Sequence, residues 1–181
     1  MKVFKLILVF LVSIIVLVLV VALFVPREYR VERDVSIQAA KADIFQFLRY
    51  LRNQEQFTVW AKMDPNMKRE YRGTDGTVGF VSAWESENKN VGSGEQEIIG
   101  IIEGERIDYE LRFFEPFETV GKAYFITEAI DSASTRVTWG FKGESPYPWN
   151  VMLLVMNMDD MLGNDLEQGL ENLKALMEKP Q

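Results

Sequence analysis

The chain contains no cysteine and no histidine. The first absence excludes disulfide staples and thiol chemistry, and it leaves the redox compartment unread. The second removes the usual general base near neutral pH and the commonest metal ligand. Together they exclude Ser–His–Asp and Cys–His arrangements and an ordinary zinc site. No D-x-D-x-D loop occurs, and the glycines at Gly73, Gly76 and Gly79 and at Gly92 and Gly94 sit among strands and turns, without the strand-to-helix context of a phosphate-binding loop. No metal and no cofactor are therefore expected. Basic runs are missing too. Lys2 and Lys5 are the only charged side chains before Arg27, so the remainder carries 18 Lys and Arg against 27 Asp and Glu, a net charge of −9. A surface of that sign is a poor grip for nucleic acid or anionic headgroups, and no nucleic-acid partner is expected.

What the chain does have is one long apolar run. Leu6 to Val25, LILVFLVSIIVLVLVVALFV, holds a single polar residue, Ser13, in 20 positions. At about 1.5 Å per residue this makes roughly 30 Å of helix, the thickness of a bilayer's hydrocarbon core. A signal peptide's apolar segment is shorter, about 7–15 residues, and no small-x-small cleavage site lies near Phe24. The reading is an uncleaved single-pass anchor crossing the membrane with residues 6–25. It divides the chain into an anchor, 1–26, and one folded domain, 27–181. Basic residues flank both ends (Lys2 and Lys5 before; Arg27, Arg30 and Arg33 after), so the positive-inside rule does not discriminate. Short N-terminal anchors often leave the tail inside and the domain outside. The expectation is a cell-membrane protein with its domain on the extracytoplasmic side.

Beyond the anchor, Tyr29 to Ile37 alternates, with Tyr29, Val31, Arg33, Val35 and Ile37 on one face, and predicts a half-buried strand. Ala40 to Leu51 has the apolar spacing of an amphipathic helix, and a second short helical piece is expected over Asn53 to Trp60. From Met67 the period switches to two. Six strands are expected: Lys68 to Arg72, Thr77 to Glu85, Ser93 to Glu103, Arg106 to Phe114, Thr119 to Ala129 and Thr135 to Lys142. Short turn-forming links between them favour antiparallel hairpins. A Pro-containing loop, Glu144 to Pro148, leads into a long final helix ending near Met177. A curved antiparallel sheet with one apolar face needs a cover, and that helix is the element long enough to supply it. The predicted class is α+β, a sheet wrapped around a C-terminal helix.

Three features of that helix stand out. Gly163 and Gly169 fall at the edge and middle of its apolar face, each at a cost of about 1 kcal/mol relative to alanine. Close approach of helix to sheet would offset this, and space left for a ligand is the other reading. Asp159 lies about 60° from Leu162 on the wheel, inside the apolar sector, so it must be paired, hydrogen-bonded or wetted. It sits either at a rim, bound to water or to a strand or loop group, or projects into a ligand cavity. Methionine is concentrated at the start of this segment (Met152, Met156, Met158, Met161), which suits either an adaptable cavity or an ordinary core.

The strands add aromatic sets sharing a face: Phe80 with Trp84, Tyr109 with Phe113, Tyr124 with Ile126, and Val137 with Trp139 and Phe141. Plain core accounts for each singly. Large rings with polar tips, Trp60 among them, can equally bound a pocket for a lipophilic guest. The candidate lining set is Trp60, Phe80, Trp84, Tyr109, Phe113, Tyr124 and Trp139 from the sheet side, with Val155, Met158, Asp159 and Leu162 from the helix.

Taken in order, these pieces resemble the START-type superfamily that includes polyketide cyclases and aromatic-hydrocarbon carriers (SRPBCC). VERDVSIQAAKADIFQFL resembles the first strand and following helix, with Ala40 where proline is frequent. FTVWAKMDPNMKREYRGTDGTVGFVSAW resembles the second helix and first hairpin, with Trp60, Gly76, Gly79 and Trp84. MNMDDMLGNDLEQGLENLKAL is similar to the C-terminal helix of many bacterial members at Met158, Asp159, Gly163, Leu166, Gly169, Leu170 and Leu173. The resemblance covers Tyr29 to Met177 and implies a helix-grip fold with a cavity between sheet and helix, able to hold hydrophobic or lipid-like molecules. Fold does not determine function. Three readings stay open: a membrane-tethered binder of a hydrophobic small molecule or lipid; a cyclase- or dehydratase-type enzyme, with Asp159 as its catalytic candidate; and a partner-binding envelope protein with a filled core. The balance leans toward the binder and away from an enzyme.

Overall fold

Period-two stretches become strands and 3.6-period stretches helices in the computed structural model, which describes residues 2–179. Met1, at the start of the expected anchor unit, and Pro180 and Gln181, at the end of the expected domain, lie outside the described residues. In chain order the elements are α1 (Lys2–Ala22), β1 (Glu28–Ile37), α2 (Lys41–Arg49), a 3₁₀ helix (Leu51–Gln56), α3 (Val59–Met63), β2 (Lys68–Arg72), β3 (Val81–Glu85), β4 (Ser93–Ile102), β5 (Arg106–Glu115), β6 (Thr119–Ala129), β7 (Thr135–Glu144), a second 3₁₀ helix (Trp149–Leu154) and α4 (Met158–Met177). The strands form one seven-stranded sheet in the order β1-β7-β6-β5-β4-β3-β2, antiparallel throughout. Strands β2 to β7 follow each other as a meander, as their short links require. The first strand closes onto the last, Val31 opposite Phe141 and Val35 opposite Val137.

Three boundaries differ from the sequence reading, each for a local reason. β3 begins at Val81 rather than Thr77. Gly76 and Gly79 hold φ of +79° and +89°, and the chain turns through this left-handed pair before it joins the sheet. The helical piece after α2 is split, with Phe57 fully buried between the first 3₁₀ helix and α3. The final α-helix starts only at Met158. There Asn157 is the cap, its Oδ1 accepting the Asp160 backbone N–H at 3.4 Å, and the preceding residues form the second 3₁₀ helix.

One face of the sheet is charged. On it Arg112 pairs with Glu95, Glu97 and Glu110, and Arg106 with Asp108. The other, concave face is covered by α4 and α2. Their Leu166, Leu170, Leu173, Ile44 and Leu48 meet Val35, Ile37, Ile107, Val137 and Phe125 in one buried cluster. Each such side chain contributes about 1.5–3 kcal/mol when fully buried. The glycines of α4 bring helix and sheet together. A Cβ on Gly169 would stand 2.6 Å from Cζ3 of Trp139, and one on Gly163 would collide with the Arg33 guanidinium. The close-approach reading of both glycines is thus realised.

Candidate functional site

The core fills only one end of the space under α4. Along β5 Ile107 and Tyr109 are fully packed, while Leu111 and Phe113 border empty space; along β7 the change comes between Val137 and Phe141, with Trp139 on the boundary. The same division runs along α4. Leu170 and Leu173 pack into the core, whereas Leu162 and Leu166 roof a cavity of about 360 Å³. That volume is near the small end of the ~300–1,000 Å³ typical of small-molecule pockets.

Alternation along the strands delivers the aromatic floor. Trp84 of β3 meets Phe113 of β5 edge-on at 6.0 Å, Phe113 meets Phe141 of β7 at 6.5 Å, and Phe141 meets Tyr29 of β1 at 6.2 Å. Glycines on the intervening positions give the rings room. A Cβ on Gly94 would approach Trp84 Cζ2 to 2.7 Å, and Gly121 lies under Phe141 in the same way. Trp60 of α3 closes the side wall, perpendicular to Trp139 at 6.0 Å. Polar groups enter both from the first 3₁₀ helix (Gln54, Glu55) and from the sheet (Arg69, Ser82, Gln96). Glu55 accepts the Tyr71 hydroxyl and stands 3.6 Å from Arg69 Nε, and both Glu55 and Arg69 line the cavity. Burial, and then this hydrogen bond, push the Tyr71 phenol up to about 12. Gln54 borders the cavity at 8 % exposure, and its Nε2 has no hydrogen-bond partner among the described residues. The arrangement suits a lipophilic body that carries polar substituents.

Of the residues put forward from sequence, Trp60, Trp84, Phe113, Trp139 and Leu162 border this cavity. Six lie elsewhere. Phe80 is packed in the core, stacked on Tyr71 at 6.1 Å. Tyr109 is fully buried against Phe125, its hydroxyl 3.4 Å from the Leu48 carbonyl, and burial pushes its phenol well above the usual range. Tyr124 points to the charged face, where its ring lies over Gly140 and its hydroxyl donates to Glu32. Met158 packs on the core at the start of α4, and Val155, before the helix begins, is 78 % exposed. Asp159 takes its rim position: both its carboxylate oxygens accept from Arg33 at 2.8 Å, outside the cavity. The Arg33 hydrogen bonds hold that carboxyl below its ordinary range. Sequence reasoning grouped Phe141 with Trp139 on one strand face but left it out of the lining set, and it passed over Leu111, which the alternation through Phe113 could have reached. It also passed over Glu55, Gln54 and Arg69, which no local pattern marks.

Among the described residues no cluster of three or more Asp or Glu could hold a metal ion. One helix, Lys2–Ala22, is long and apolar enough to cross a membrane, and none of its apolar window is buried against the rest of the protein.

The sequence matches no protein-family model. No curated protein matches it either. Solved structures do. The aromatase/cyclase StfQ of the steffimycin biosynthetic pathway superposes with a TM-score of 0.63 at 9 % identity, over 84 % of this chain and 51 % of that two-domain protein. A norcoclaurine synthase point mutant from Thalictrum flavum, in complex with a transition-state analogue, gives 0.61 at 10 % identity, over 83 % of this chain and 94 % of that one. Major latex-like protein 151 from Panax ginseng gives 0.59 at 17 % identity, over 85 % of this chain and the whole of that one. At such identities the likeness is one of fold: from β1 to α4 this chain shares with these structures the helix-grip fold, an antiparallel sheet wrapped around a C-terminal helix.

Proposed function

We propose that the protein is a membrane-tethered binding module that holds one small lipophile, or the apolar part of a lipid, in the cavity between the sheet and the first half of α4. The observation that carries this reading is the cavity itself, about 360 Å³ of space floored by Trp84, Phe113 and Phe141 and left open where the rest of the interior is packed. Its lining is largely apolar, and polar groups such as Gln54, Glu55 and Arg69 would orient a polar part of the guest. Solved neighbours on this fold include aromatase/cyclases and a synthase, and their small-molecule chemistry supports the general reading. In this proposal residues 1–26 form the uncleaved anchor and 27–181 the binding domain, on the extracytoplasmic side. Tethering would keep the site at the surface into which apolar ligands partition.

Native mass spectrometry of the full chain, released from detergent in the gas phase, tests the proposal. A single bound lipophile per chain, exchangeable for N-phenylnaphthylamine, is the expected result. A chain carrying no extra mass and failing to take up that probe would return the protein to the filled-core, partner-binding reading. The cyclase-type alternative has one observation in its favour, the adjoining Glu55 carboxylate and Arg69 guanidinium on the cavity wall. Its earlier candidate, Asp159, is paired at the rim and unsuited to proton transfer inside.

A further inference from the structure

The segment between β7 and α4 carries the densest run of exposed apolar side chains outside α1. Trp149 is 68 % exposed, Leu154 61 % and Val155 78 %, with Met152 and Met156 also open, and Met161 follows in the first turn of α4. Contiguous exposed apolar patches on this scale mark interaction surfaces. The position of this one relative to α1 says which. Asn150, fully buried in the same 3₁₀ helix, donates from Nδ2 to the carbonyls of Ala22 at 2.7 Å and Val25 at 2.8 Å, and the Tyr147 hydroxyl lies 3.4 Å from the Leu19 carbonyl. These are the last carbonyls of α1 and the residues just beyond it. A spanning helix ends at the boundary between hydrocarbon and headgroups, so a segment bonded to its final carbonyls lies at that depth.

A second loop reaches the same end of the sheet. The register puts Glu28 opposite Glu144 and Gly121 opposite Gly143, so the β5–β6 tip stands at the end from which α1 leaves. That tip exposes Phe114 at 50 % and Phe117 at 79 %. The acidic Glu115, Glu118, Asp159 and Asp160 stand nearby, together with the basic Arg27 and with Arg33, which Asp159 pairs. Acidic groups outnumber basic ones in that set, and the exposed apolar side chains supply the driving force, with Trp149 in the role of an interfacial aromatic.

We propose that Trp149–Met156 and the Phe114–Phe117 tip dip into the bilayer interface, so that the domain rests on the lipid surface instead of swinging free on its tether. The inference rests on reading α1 as a membrane anchor. It has a consequence for the cavity, whose lining includes Pro116 and Leu162, the chain neighbours of Phe117 and Met161. Cavity and docking patch share a rim, and a lipophile would pass between bilayer and pocket without crossing open water.

The absence of cysteine makes the test direct. Val155→Cys, Phe117→Cys, Ser132→Cys and Val12→Cys would each be labelled with an environment-sensitive fluorophore in the full chain, reconstituted in neutral phosphatidylcholine vesicles containing spin-labelled lipid. The expected result is blue-shifted emission and several-fold stronger quenching at positions 155 and 117 than at 132, which lies in the turn at the far end of the sheet. Quenching at 12 with none at 155 and 117 would overturn the docking while leaving the anchor intact. Labels at 155 and 117 shielded from water but untouched by the lipid quencher would mean that a protein or a second copy covers the patch, and would also overturn it. No quenching at 12 would remove the anchor and the docking together, whereas loss of probe binding alone would bear on the cavity proposal only.

Discussion

Gly169 of α4 lies directly over the indole of Trp139, with 2.6 Å between a Cβ built at 169 and Cζ3 of the ring. The ring is braced on its packed side, although its other side borders the cavity. It is held 4.9 Å from Phe125, 5.9 Å from Phe57 and 6.0 Å from Trp60, centroid to centroid. Gly169→Ala would gain about 1 kcal/mol of helix propensity. Against this stands overpacking of a rigid contact, about 1–3 kcal/mol. We expect a net loss of up to about 2 kcal/mol, read as a lower denaturant midpoint for the full chain in detergent. An unchanged or higher midpoint would mean that α4 can lift from the sheet.

That contact also shows what the sequence could reveal and what it could not. A glycine in the apolar stripe of a helix announces a close neighbour; it does not say that the neighbour is Trp139, because strand register is a long-range property. Alternation located every strand of the sheet within a few residues. It failed for Tyr124, which sits between Ala123 and Phe125 in a run of three buried positions on β6. The tyrosine is 2 % exposed although it points away from α4, covered by Arg30, Arg106 and Lys142 and accommodated by Gly140. Val155 failed for a different reason: its helical phase was extended through Asn157, where the α-helix begins. Glu55 and Arg69 are brought to the cavity by chain segments whose local patterns give no hint of a shared wall.

Asn150 ties the end of α1 to the domain through two carbonyls. Asn150→Leu keeps the branched shape of the side chain and removes both donors, leaving the Ala22 and Val25 carbonyls unsatisfied at about 1–3 kcal/mol for a buried acceptor. The junction should loosen, and trypsin should cut after the exposed Arg27 several-fold faster than in the parent chain under the same conditions. An unaltered cutting rate would show that Asn150 is not what holds helix and domain together.

The Arg33–Asp159 pair fixes the first turn of α4 to β1, and its pH dependence follows from the lowered carboxyl. A folded-state pKa below the ordinary 3.8 stabilises above that value, and the contribution disappears as pH falls through 3.8 and then through the folded value. The pair is therefore intact at neutral pH and opens only in acid. The carboxylate is exposed, so the effect is local. Asp159→Asn should raise hydrogen exchange in the first turns of α4 at neutral pH, after correction for intrinsic rates, toward the level that the parent chain reaches in acid. Equal protection in both chains would remove the pair from any account of how the cavity's roof is held.

Filling the cavity separates binding from folding. Leu111 faces the void from the middle of β5, opposite Gln96 on one side and Gly121 on the other. Leu111→Trp places an indole where the guest would lie and adds apolar contact without opening a hole elsewhere. Affinity for N-phenylnaphthylamine should fall by about tenfold or more, equivalent to roughly 1.4 kcal/mol, while the unfolding midpoint stays level or rises. Tyr124→Phe, on the charged face, should leave the affinity unchanged. The opposite pattern, with binding kept in Leu111→Trp and weakened in Tyr124→Phe, would move the site to the outer face of the sheet. Because a lipophilic cavity stabilises the fold least where it is empty, a rise in midpoint with loss of binding is the pair of results that an ordinary packed core cannot produce.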